Sequence, residues 1–382
     1  MTSIWGRKRF EECIEGVTYT RKVQRKDFLA DGEYPIVSQE EEFINGYWDN
    51  EADLFRLTRP VILFGDHTKV LKYVDFDFVL GADGVKILEP RSFLLPKFFF
   101  YRLQAVNLDS LGYARHYKLL KELEIAYPSL TEQQRIVVIL DEALDGIATV
   151  RANAEKNLQN ARALFESHLQ DAFAKRGEEW VEGTLQALTS KIGSGATPLG
   201  GEQAYKDEGV SLIRSLNVYD SGFRYDKLAF IDDAQADRLS NVTVERRDVL
   251  LNITGASVAR CCVVPEDVLP ARVNQHVSII RPISAKLDAE FLHYLLISSP
   301  YKTLLLQTGE EGGSTRQAIT KAQIQEFKIA HPNSLKEQQV LVGRLDAFAA
   351  EGQRLESIYQ QKLTALDALK NSLLHQAFTG QL

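Results

Sequence analysis

The 382-residue chain has little of what disulfide frameworks, zinc sites and membrane spans require. Its three cysteines, Cys13, Cys261 and Cys262, have neither the number nor the spacing of a disulfide framework or a zinc site. No apolar run approaches the ~18 residues of a membrane-spanning helix, so none is expected. The first residues lack the apolar core of a secretory signal. We therefore expect a cytoplasmic protein with reduced thiols.

Motifs of common enzymes are also missing. The sequence has no Walker motif and no Gly-x-Ser-x-Gly elbow. It has no Pro-Pro dipeptide, which excludes the Asn/Asp-Pro-Pro-aromatic tetrad of amino-methyltransferases. One nuclease-like triplet, Glu326-Phe327-Lys328, has no Pro-Asp partner nearby, so we interpret it as surface charge. We predict no catalytic residue, no metal ligand and no cofactor site in this chain.

Acidic residues outnumber basic ones, and the formal net charge is −7. This balance argues against a non-specific polyanion binder, which usually carries a basic excess. It does not exclude sequence-specific DNA binding, because phosphate contacts need a local basic face and not a basic chain.

An internal repeat is the strongest signal in the sequence. The segment Leu130-Thr131-Glu132-Gln133-Gln134 returns as Leu335-Lys336-Glu337-Gln338-Gln339, at an offset of 205 residues. The same offset aligns Asp141 with Asp346 and Ala172-Phe173 with Ala377-Phe378 without a gap. A period this long is not that of a solenoid and indicates a duplicated pair of domains. The block that precedes the second copy is longer than the block that precedes the first copy by about 25 to 30 residues.

Both copies of the repeat predict a long helix that begins shortly after a proline, Pro128 or Pro332. In the first copy apolar residues recur at two heptad positions, with Arg151 interrupting the second: Leu140, Ile147, Ala154 and Ala161, then Leu144, Leu158 and Phe165. In the second copy the predicted seam contains Leu345, Leu355, Ile358, Leu363, Leu366, Leu369 and Leu373. Each helix would be roughly 65 Å long and must bury its seam. The simplest solution is that the two helices form an antiparallel coiled coil.

The blocks outside the helices favour the α+β class. Short β-type runs occupy residues 61–64, 85–88, 249–253 and 277–280, and helix-like segments occupy 97–103 and 289–297. We predict four segments, namely a globular domain at 1–127, a helix at 128–178, a second globular domain at 179–331 and a helix at 332–382. The helices would hold the domains apart. Few residues separate Phe173 from Trp180, and few follow Phe378 or precede Trp5. If the two ends are close in space, the units form a pseudo-two-fold, circular arrangement, which is what we predict.

Polar and basic side chains cluster at the predicted turns of both domains. Arginine, asparagine and glutamine read base edges, whereas lysine, serine and threonine more often hold phosphates. The candidates for DNA binding in the first domain are Arg21, Lys22, Arg25, Lys26, Lys69, Arg115 and His116. Those in the second are Lys191, Ser194, Thr197, Arg214, Asn217, Thr254, Ser257, Arg260, Asn274, Gln275, His276 and Arg316. Each of them alone is also compatible with a solvated surface residue.

The two helical blocks, with their Leu-x-Glu-Gln-Gln openings, resemble the conserved regions of the specificity (S) subunit of Type I restriction-modification systems. The segments 313–319 (Gly-Ser-Thr-Arg-Gln-Ala-Ile) and 274–277 (Asn-Gln-His-Val) resemble stretches of its target recognition domains. The first domain departs slightly, with Gly112-Tyr113-Ala114-Arg115-His116 in place of the second motif. The resemblance covers nearly the whole chain.

The resemblance implies a subunit without catalysis, in which each recognition domain reads one half of a bipartite, asymmetric site in double-stranded DNA. It implies that the helices set the spacer and dock two methylation subunits, which use S-adenosylmethionine. It also implies that restriction subunits join, and that ATP and Mg bind the partners. The residues assigned to the coiled coil or the partner subunits are Glu132, Gln133, Gln134, Leu140, Leu144, Ile147, Leu158, Glu337, Gln338, Gln339, Leu345, Leu355, Leu363 and Leu366.

Two other functions are compatible with the repeat. A structural scaffold would carry two protein-binding domains on the same helices, and it would not bind specific DNA with a methylation subunit present. An enzyme that acts on DNA unaided would transfer methyl groups as the purified chain, which the missing tetrad argues against.

Overall fold

A computed structural model describes residues 5–108, 114–177, 179–198, 200–310 and 318–382. The chain divides into two units. Unit 1 comprises Met1–Lys156 and Gln360–Leu382, and unit 2 comprises Asn157–Tyr359. Each of the two long helices is therefore shared between the units.

The described residues of unit 1 form ten strands, two short α-helices and parts of both long helices. The strands are β1 (Gly6–Arg9), β2 (Lys22–Val23), β3 (Tyr34–Val37), β4 (Gly46–Trp48), β5 (Leu54–Phe55), β6 (Val61–Gly65), β7 (Leu71–Val74), β8 (Phe78–Gly81), β9 (Val85–Leu88) and β10 (Glu124–Tyr127). The helices are α1 (Pro96–Gln104), α2 (Tyr117–Lys121) and the first long helix α3 (Leu130–Ala174). Strands β7-β6-β9 form one antiparallel sheet. A mixed sheet has the order β2-β8-β3-β4, with β5 on β8.

Unit 2 repeats this plan with more strands. The strands are β11 (Trp180–Thr184), β12 (Thr189–Ser194), β13 (Val210–Ile213), β14 (Val218–Tyr219), β15 (Gly222–Phe223), β16 (Ala229–Ile231), β17 (Thr243–Val244), β18 (Val249–Asn252), β19 (Cys261–Val263), β20 (Ala271–Val273), β21 (Val277–Pro282) and β22 (Lys328–Pro332). The helices are α4 (Leu185–Leu188), α5 (Asp233–Arg238), α6 (Ala289–Ile297), α7 (Ser299–Glu310), α8 (Lys321–Glu326) and the second long helix α9 (Leu335–Thr379). Sheets of order β12-β21-β18-β19 and β16-β13-β20-β17 form its body.

The duplication seen in the sequence is present in the fold. An antiparallel strand pair lies before each long helix, β1 with β10 in unit 1 and β11 with β22 in unit 2. The antiparallel sheet β7-β6-β9 corresponds to β19-β18-β21, and unit 2 adds β12 at its edge. Part of the extra length of the second block is therefore an added edge strand.

Alternating apolar residues explain the cores of both units. In unit 1, Ile62, Phe64 and Leu88 pack with Phe98 and Phe99 of α1, and all five are fully buried. In unit 2, the side chains of β18 and β21 pack with α6, whose Phe291 and Leu295 are fully buried. Burial of such side chains stabilises a fold by about 1.5–3 kcal/mol each relative to exposure.

The two long helices run antiparallel within each unit. In unit 1, Arg151 forms an ion pair with Asp367, and Nη2 of Arg135 donates to the carbonyl oxygen of Leu382 at 2.7 Å. In unit 2, Arg162 pairs with Glu356 at 3.0 Å, and His168 stacks on Phe348 with 3.8 Å between ring centroids. Within each unit, residues of increasing number in α3 contact residues of decreasing number in the C-terminal part of the chain, as the antiparallel prediction requires.

The seam of α3 is where the heptads place it, and Arg151 within it is partly buried. The predicted seam of α9 is wrong at two positions, because Ile358 and Leu369 are 43% and 47% exposed. Adding 205 to the heptad positions of α3 gives the residues that α9 does bury, fully or in part: Leu345, Gly352, Tyr359, Leu366 and Leu373, and Ala349, Glu356, Leu363, Lys370 and Ala377. Four of these ten are glycine, tyrosine or charged residues, which is why a search for leucines missed the frame.

Candidate nucleic-acid interface

One end of the four-stranded sheet gathers many of the predicted side chains of unit 2. Strands β12 and β18 end there, at Ser194 and Asn252, and β19 and β21 begin there. The register confirms the alignment, since Ser194 pairs with Ser278 and Asn252 pairs with Val277. Loops that leave these four strand ends must therefore meet at one edge of the sheet.

Four side chains at this end form a hydrogen-bonded cluster, which we call the sheet-end cluster: Thr197, Thr254, Gln275 and His276. The hydroxyl of Thr197 donates to Oε1 of Gln275. Oγ1 of Thr254 lies 2.5 Å from Nδ1 of His276, and Nε2 of Gln275 lies 3.1 Å from Nε2 of the same ring. Thr197 and Gln275 are exposed. The cluster presents amide, hydroxyl and imidazole groups, which are the groups that read base edges and hold phosphates.

Buried backbone contacts hold the sheet-end cluster in place. Asn274 is 6% exposed; its Oδ1 accepts from the backbone N–H of His276 at 3.0 Å, and its carbonyl oxygen accepts from that of Gly195 at 3.1 Å. A Cβ on Gly195 would lie 1.7 Å from the carbonyl oxygen of Val273, so only glycine fits this crossing. Asn274, a predicted DNA-binding residue, is therefore buried and holds the backbone of the loop in place.

The other predicted residues of unit 2 are placed differently. Arg214 forms an ion pair with Glu202 at 3.3 Å and lies over the ring of Tyr205. Asn217 is fully buried, and its amide binds backbone groups. Lys191 and Ser194 line a polar groove of about 580 Å³ beside β12, together with Lys321 of α8. Arg316 lies outside the described residues, although Ala318 bridges to Thr254 at the same sheet end.

The corresponding sheet end of unit 1 brings together four of its seven predicted residues. Nζ of Lys22 donates to the carbonyl oxygen of Val85 at 3.0 Å, and burial lowers the pKa of this lysine. Lys69 follows β6 and donates to the carbonyl oxygen of Leu108 at 3.2 Å. Arg115 is exposed beside His116. His116 itself is 1% exposed and lies with Nδ1 3.0 Å from the carbonyl oxygen of Asp66.

The remaining three residues of unit 1 are near β2, in the mixed sheet. Arg21 pairs with Asp53 at 3.9 Å, and Arg25 pairs with Glu40 at 3.0 Å. Lys26 is exposed. Unit 1 therefore has two groups of candidate residues, and only the group at the sheet end corresponds to the cluster of unit 2.

The first glutamine of each Leu-x-Glu-Gln-Gln motif joins the start of a long helix to the rest of its unit. We call this pair of equivalent contacts the duplicated glutamine junction. Gln133 is fully buried; its Oε1 accepts from the N–H of Leu95 at 2.8 Å, and its Nε2 donates to the carbonyl oxygens of Phe93 and Pro128. Gln338 is equally buried; its Oε1 accepts from the N–H of Asp288 at 2.8 Å, and its Nε2 donates to the carbonyl oxygens of Lys286 and Pro332.

A tyrosine contacts each long helix about two helical turns after the buried glutamine. Tyr101 of α1 donates to Asp141, and Tyr294 of α6 donates to Asp346 at 2.7 Å. Burial, followed by the hydrogen bond to aspartate, raises the pKa of both phenols well above the usual value. Both tyrosines therefore stay protonated and remain donors at any physiological pH.

The residues assigned to the coiled coil or partner subunits fall into two groups. Gln134, Glu337 and Gln339 are exposed, and Glu132 forms an ion pair with Arg135 at 2.7 Å. The others are buried or partly buried within their own units: Gln133, Leu140, Leu144, Ile147, Leu158, Gln338, Leu345, Leu355, Leu363 and Leu366. Only the first group is available to a partner along these helices.

Sequence reasoning missed two basic features at the sheet end of unit 2. Lys321 enters the polar groove from α8. Arg224 lies over the ring of Tyr219, which also carries Arg260. No local pattern reveals either feature, because the residues that meet are on different elements.

Comparison with known proteins agrees with this geometry. A family model described as the type I restriction modification DNA specificity domain matches residues 177–364. The chain is 25% identical over 354 residues to the specificity subunit of the type I restriction enzyme EcoR124I/EcoR124II from Escherichia coli, which covers 85% of this chain and 82% of that protein.

Residues 177–364 match the DNA specificity domain of type I restriction-modification systems, and the chain is similar over most of its length to specificity subunits of these systems. A second Escherichia coli relative, the specificity subunit of the EcoBI enzyme, is 25% identical over 326 residues, covering 75% of this chain and 66% of that protein. A solved chain, from a study of complex assembly and conformational transition of the type I R-M system, matches with a TM-score of 0.72 and 19% identity. The match covers 100% of this chain and 99% of that one, and it shows that the two chains share a fold.

Among the described residues, no helix has the length and hydrophobicity that a membrane span requires.

Proposed function

We propose that this chain is the DNA sequence-specificity subunit of a type I restriction-modification complex. Unit 1 and unit 2 would each read one half of a bipartite, asymmetric site in double-stranded DNA. The observation that supports this proposal most strongly is the duplication of the sheet end together with the duplicated glutamine junction. Two related reading surfaces, each fixed to the same pair of long helices, suit a target with two halves at a set spacing.

The chain would contribute no catalysis of its own. Two methylation subunits would dock on it and modify adenine with S-adenosylmethionine, and restriction subunits would use ATP and Mg. The exposed motif residues Gln134, Glu337 and Gln339 are available for such docking. The complex would act in the cytoplasm, where the host's DNA lies.

Selection of random double-stranded DNA on the complex with its methylation subunit, followed by sequencing, tests this function. We expect an enriched motif with two fixed halves and a gap of constant length. A scaffold with protein-binding domains would enrich no motif. Methyl transfer by the purified chain alone would support an unaided enzyme and contradict the division of roles.

A further inference from the structure

Two arginines of unit 2 share one aromatic ring at the surface. The guanidinium carbon of Arg224 lies 3.6 Å from the ring centroid of Tyr219, and that of Arg260 lies 4.7 Å from it. Tyr219 belongs to β14, Arg224 follows β15 and Arg260 precedes β19. Attraction of each cation to the ring offsets part of the repulsion between the two like charges. We call this group the arginine–tyrosine stack.

Neither guanidinium of the stack has a carboxylate partner among the described residues. Other arginines of unit 2 do form ion pairs, among them Arg214 with Glu202, Arg246 with Glu266, Arg247 with Asp288 and Arg281 with Asp248. Arg224 is exposed and Arg260 is half-buried. The stack therefore concentrates two unpaired positive charges on a chain whose net charge is −7.

Two fully buried asparagines fix the backbone from which these arginines extend. Asn217 donates from Nδ2 to the carbonyl oxygen of Arg224 at 2.9 Å, and its own carbonyl oxygen accepts from the N–H of Arg224 at 2.8 Å. The N–H of Asn252 donates to the carbonyl oxygen of Arg260 at 2.8 Å, and its Nδ2 donates to that of Ser215 at 2.9 Å. A site held in this way loses less conformational entropy when it binds an anion.

The stack lies at the same end of the sheet as the sheet-end cluster. Arg260 ends a loop that starts at Thr254, the residue whose hydroxyl contacts His276. Asn252 closes this loop at its base, because its backbone bonds to both Ala259 and Arg260. A double helix read by the sheet-end cluster would therefore pass close to both guanidiniums.

We infer that Arg224 and Arg260, held on Tyr219, bind consecutive phosphates of the DNA backbone beside the half-site read by unit 2. This inference rests on the proposed function. Two cations held on one ring suit a strand that carries one charge on every nucleotide, about 3.4 Å of helix axis apart. A guanine edge, in contrast, is read bidentately by a single arginine. Contact with the ring does not use the N–H groups of a guanidinium, which remain donors for phosphate oxygens.

Binding of the complete complex to its DNA site at 50 and 200 mM salt tests the inference. In Arg224→Ala and in Arg260→Ala, each lost phosphate contact removes about one counterion from the salt dependence. The ratio of wild-type to variant affinity should therefore be about 3.5-fold larger at 50 mM than at 200 mM salt. The loss should be equal on DNA with a substituted base in either half-site. Arg224→Lys keeps the charge and should keep the wild-type salt dependence.

The matched control is Arg246→Ala, an exposed arginine of the same unit that is already paired with Glu266 at 2.9 Å; it should bind as the wild type does. Unchanged affinity and salt dependence in both stack variants would overturn the inference. A loss confined to one base position, with the salt dependence unchanged, would make the stack a base reader and also overturn it. A wild-type complex that enriches no bipartite motif contradicts the proposed function instead, and salt dependence on any DNA it binds still decides the phosphate contact.

Discussion

At the scale of single residues, two glutamines at the same repeat position make the same three kinds of contact in different units. Gln133 and Gln338 each accept a hydrogen bond from one backbone N–H and donate hydrogen bonds to two backbone carbonyl oxygens. Leaving one buried polar group without a partner costs about 1–3 kcal/mol. Their neighbours Gln134 and Gln339 have the same side chain and face solvent.

Replacing Gln133 by leucine should lower the free energy of unfolding of unit 1 by at least about 1–3 kcal/mol, because the N–H of Leu95 and two carbonyls lose their partner. Hydrogen exchange followed by mass spectrometry measures this locally, with faster exchange expected around residues 93–95 and 128–136. The control is Gln134→Leu, which should change exchange little. Equal effects of the two substitutions would show that the buried amide is not the anchor of the helix.

Replacing Gln275 by alanine should relax base preference in one half of the DNA site only. Its exposed amide lies in the sheet-end cluster of unit 2, and the loss of a bidentate base contact costs roughly 1–3 kcal/mol of discrimination. DNA selection with the variant complex checks this expectation, and the untouched half serves as the internal control. Equal loss of preference in both halves would argue that the residue supports folding.

Residue identities in the reading surface were only partly predictable. Thr197, Thr254, Gln275 and His276 were all candidates, and the structure brings them together. Tyr219 and Arg224 were not candidates, because their role depends on a contact with Arg260, which is more than thirty residues away in the chain. Arg115 is exposed, whereas the ring of the adjacent His116 is buried. The sequence does not reveal this difference, because both residues are polar and both follow the same predicted turn.

At the scale of elements, the two long helices show what a repeat adds to a periodic pattern. The heptads of α3 predicted its buried face, whereas the leucines of α9 suggested Ile358 and Leu369, which are exposed. The repeat offset gives the correct frame for α9, including Gly352, Glu356 and Lys370. A glycine in the seam lets the neighbouring helix approach closely. A long charged side chain in the seam packs its apolar stem against that helix and keeps its charged end in water. Both long helices begin at the first residue of the repeated motif, Leu130 in α3 and Leu335 in α9.

The ion pair between Arg151 and Asp367 tests the antiparallel register within unit 1. Each of the substitutions Arg151→Glu and Asp367→Arg should lower the free energy of unfolding, and the double variant should recover part of the loss. Because the pair is largely exposed, we expect a coupling energy of about 0.5–1 kcal/mol. Urea unfolding of the four proteins gives this value.

The control for this cycle combines Arg135→Glu with Asp367→Arg. Arg135 pairs with Glu132 and with the carbonyl oxygen of Leu382, so its effect should add to that of Asp367. Strict additivity in the Arg151 cycle as well would contradict the register described here.

At the scale of the whole molecule, each unit contains a body, the surface that we propose reads DNA, and parts of both helices. The units divide after Lys156 in α3 and after Tyr359 in α9. Insertion of seven residues at both points keeps the heptad phase and the internal contacts of each unit. It lengthens each helix by roughly 10 Å.

If the helices set the spacer, this double insertion should lengthen the preferred gap by about three base pairs, at ~3.4 Å per base pair, and leave both half-sites unchanged. DNA selection on the variant complex measures the gap and the halves together. A seven-residue insertion in α3 alone is the control, and it should destabilise the chain because only one helix shifts phase. A new half-site sequence at the old gap would contradict the role of the helices.

We propose that this chain determines which DNA sequence its partner subunits act on. Mapping methylated adenines across the host genome, with the gene present and with it deleted, is the decisive test. We predict one bipartite motif of two fixed halves that is methylated when the gene is present and unmethylated when it is deleted. An identical set of methylated sites in the two strains would contradict the claim.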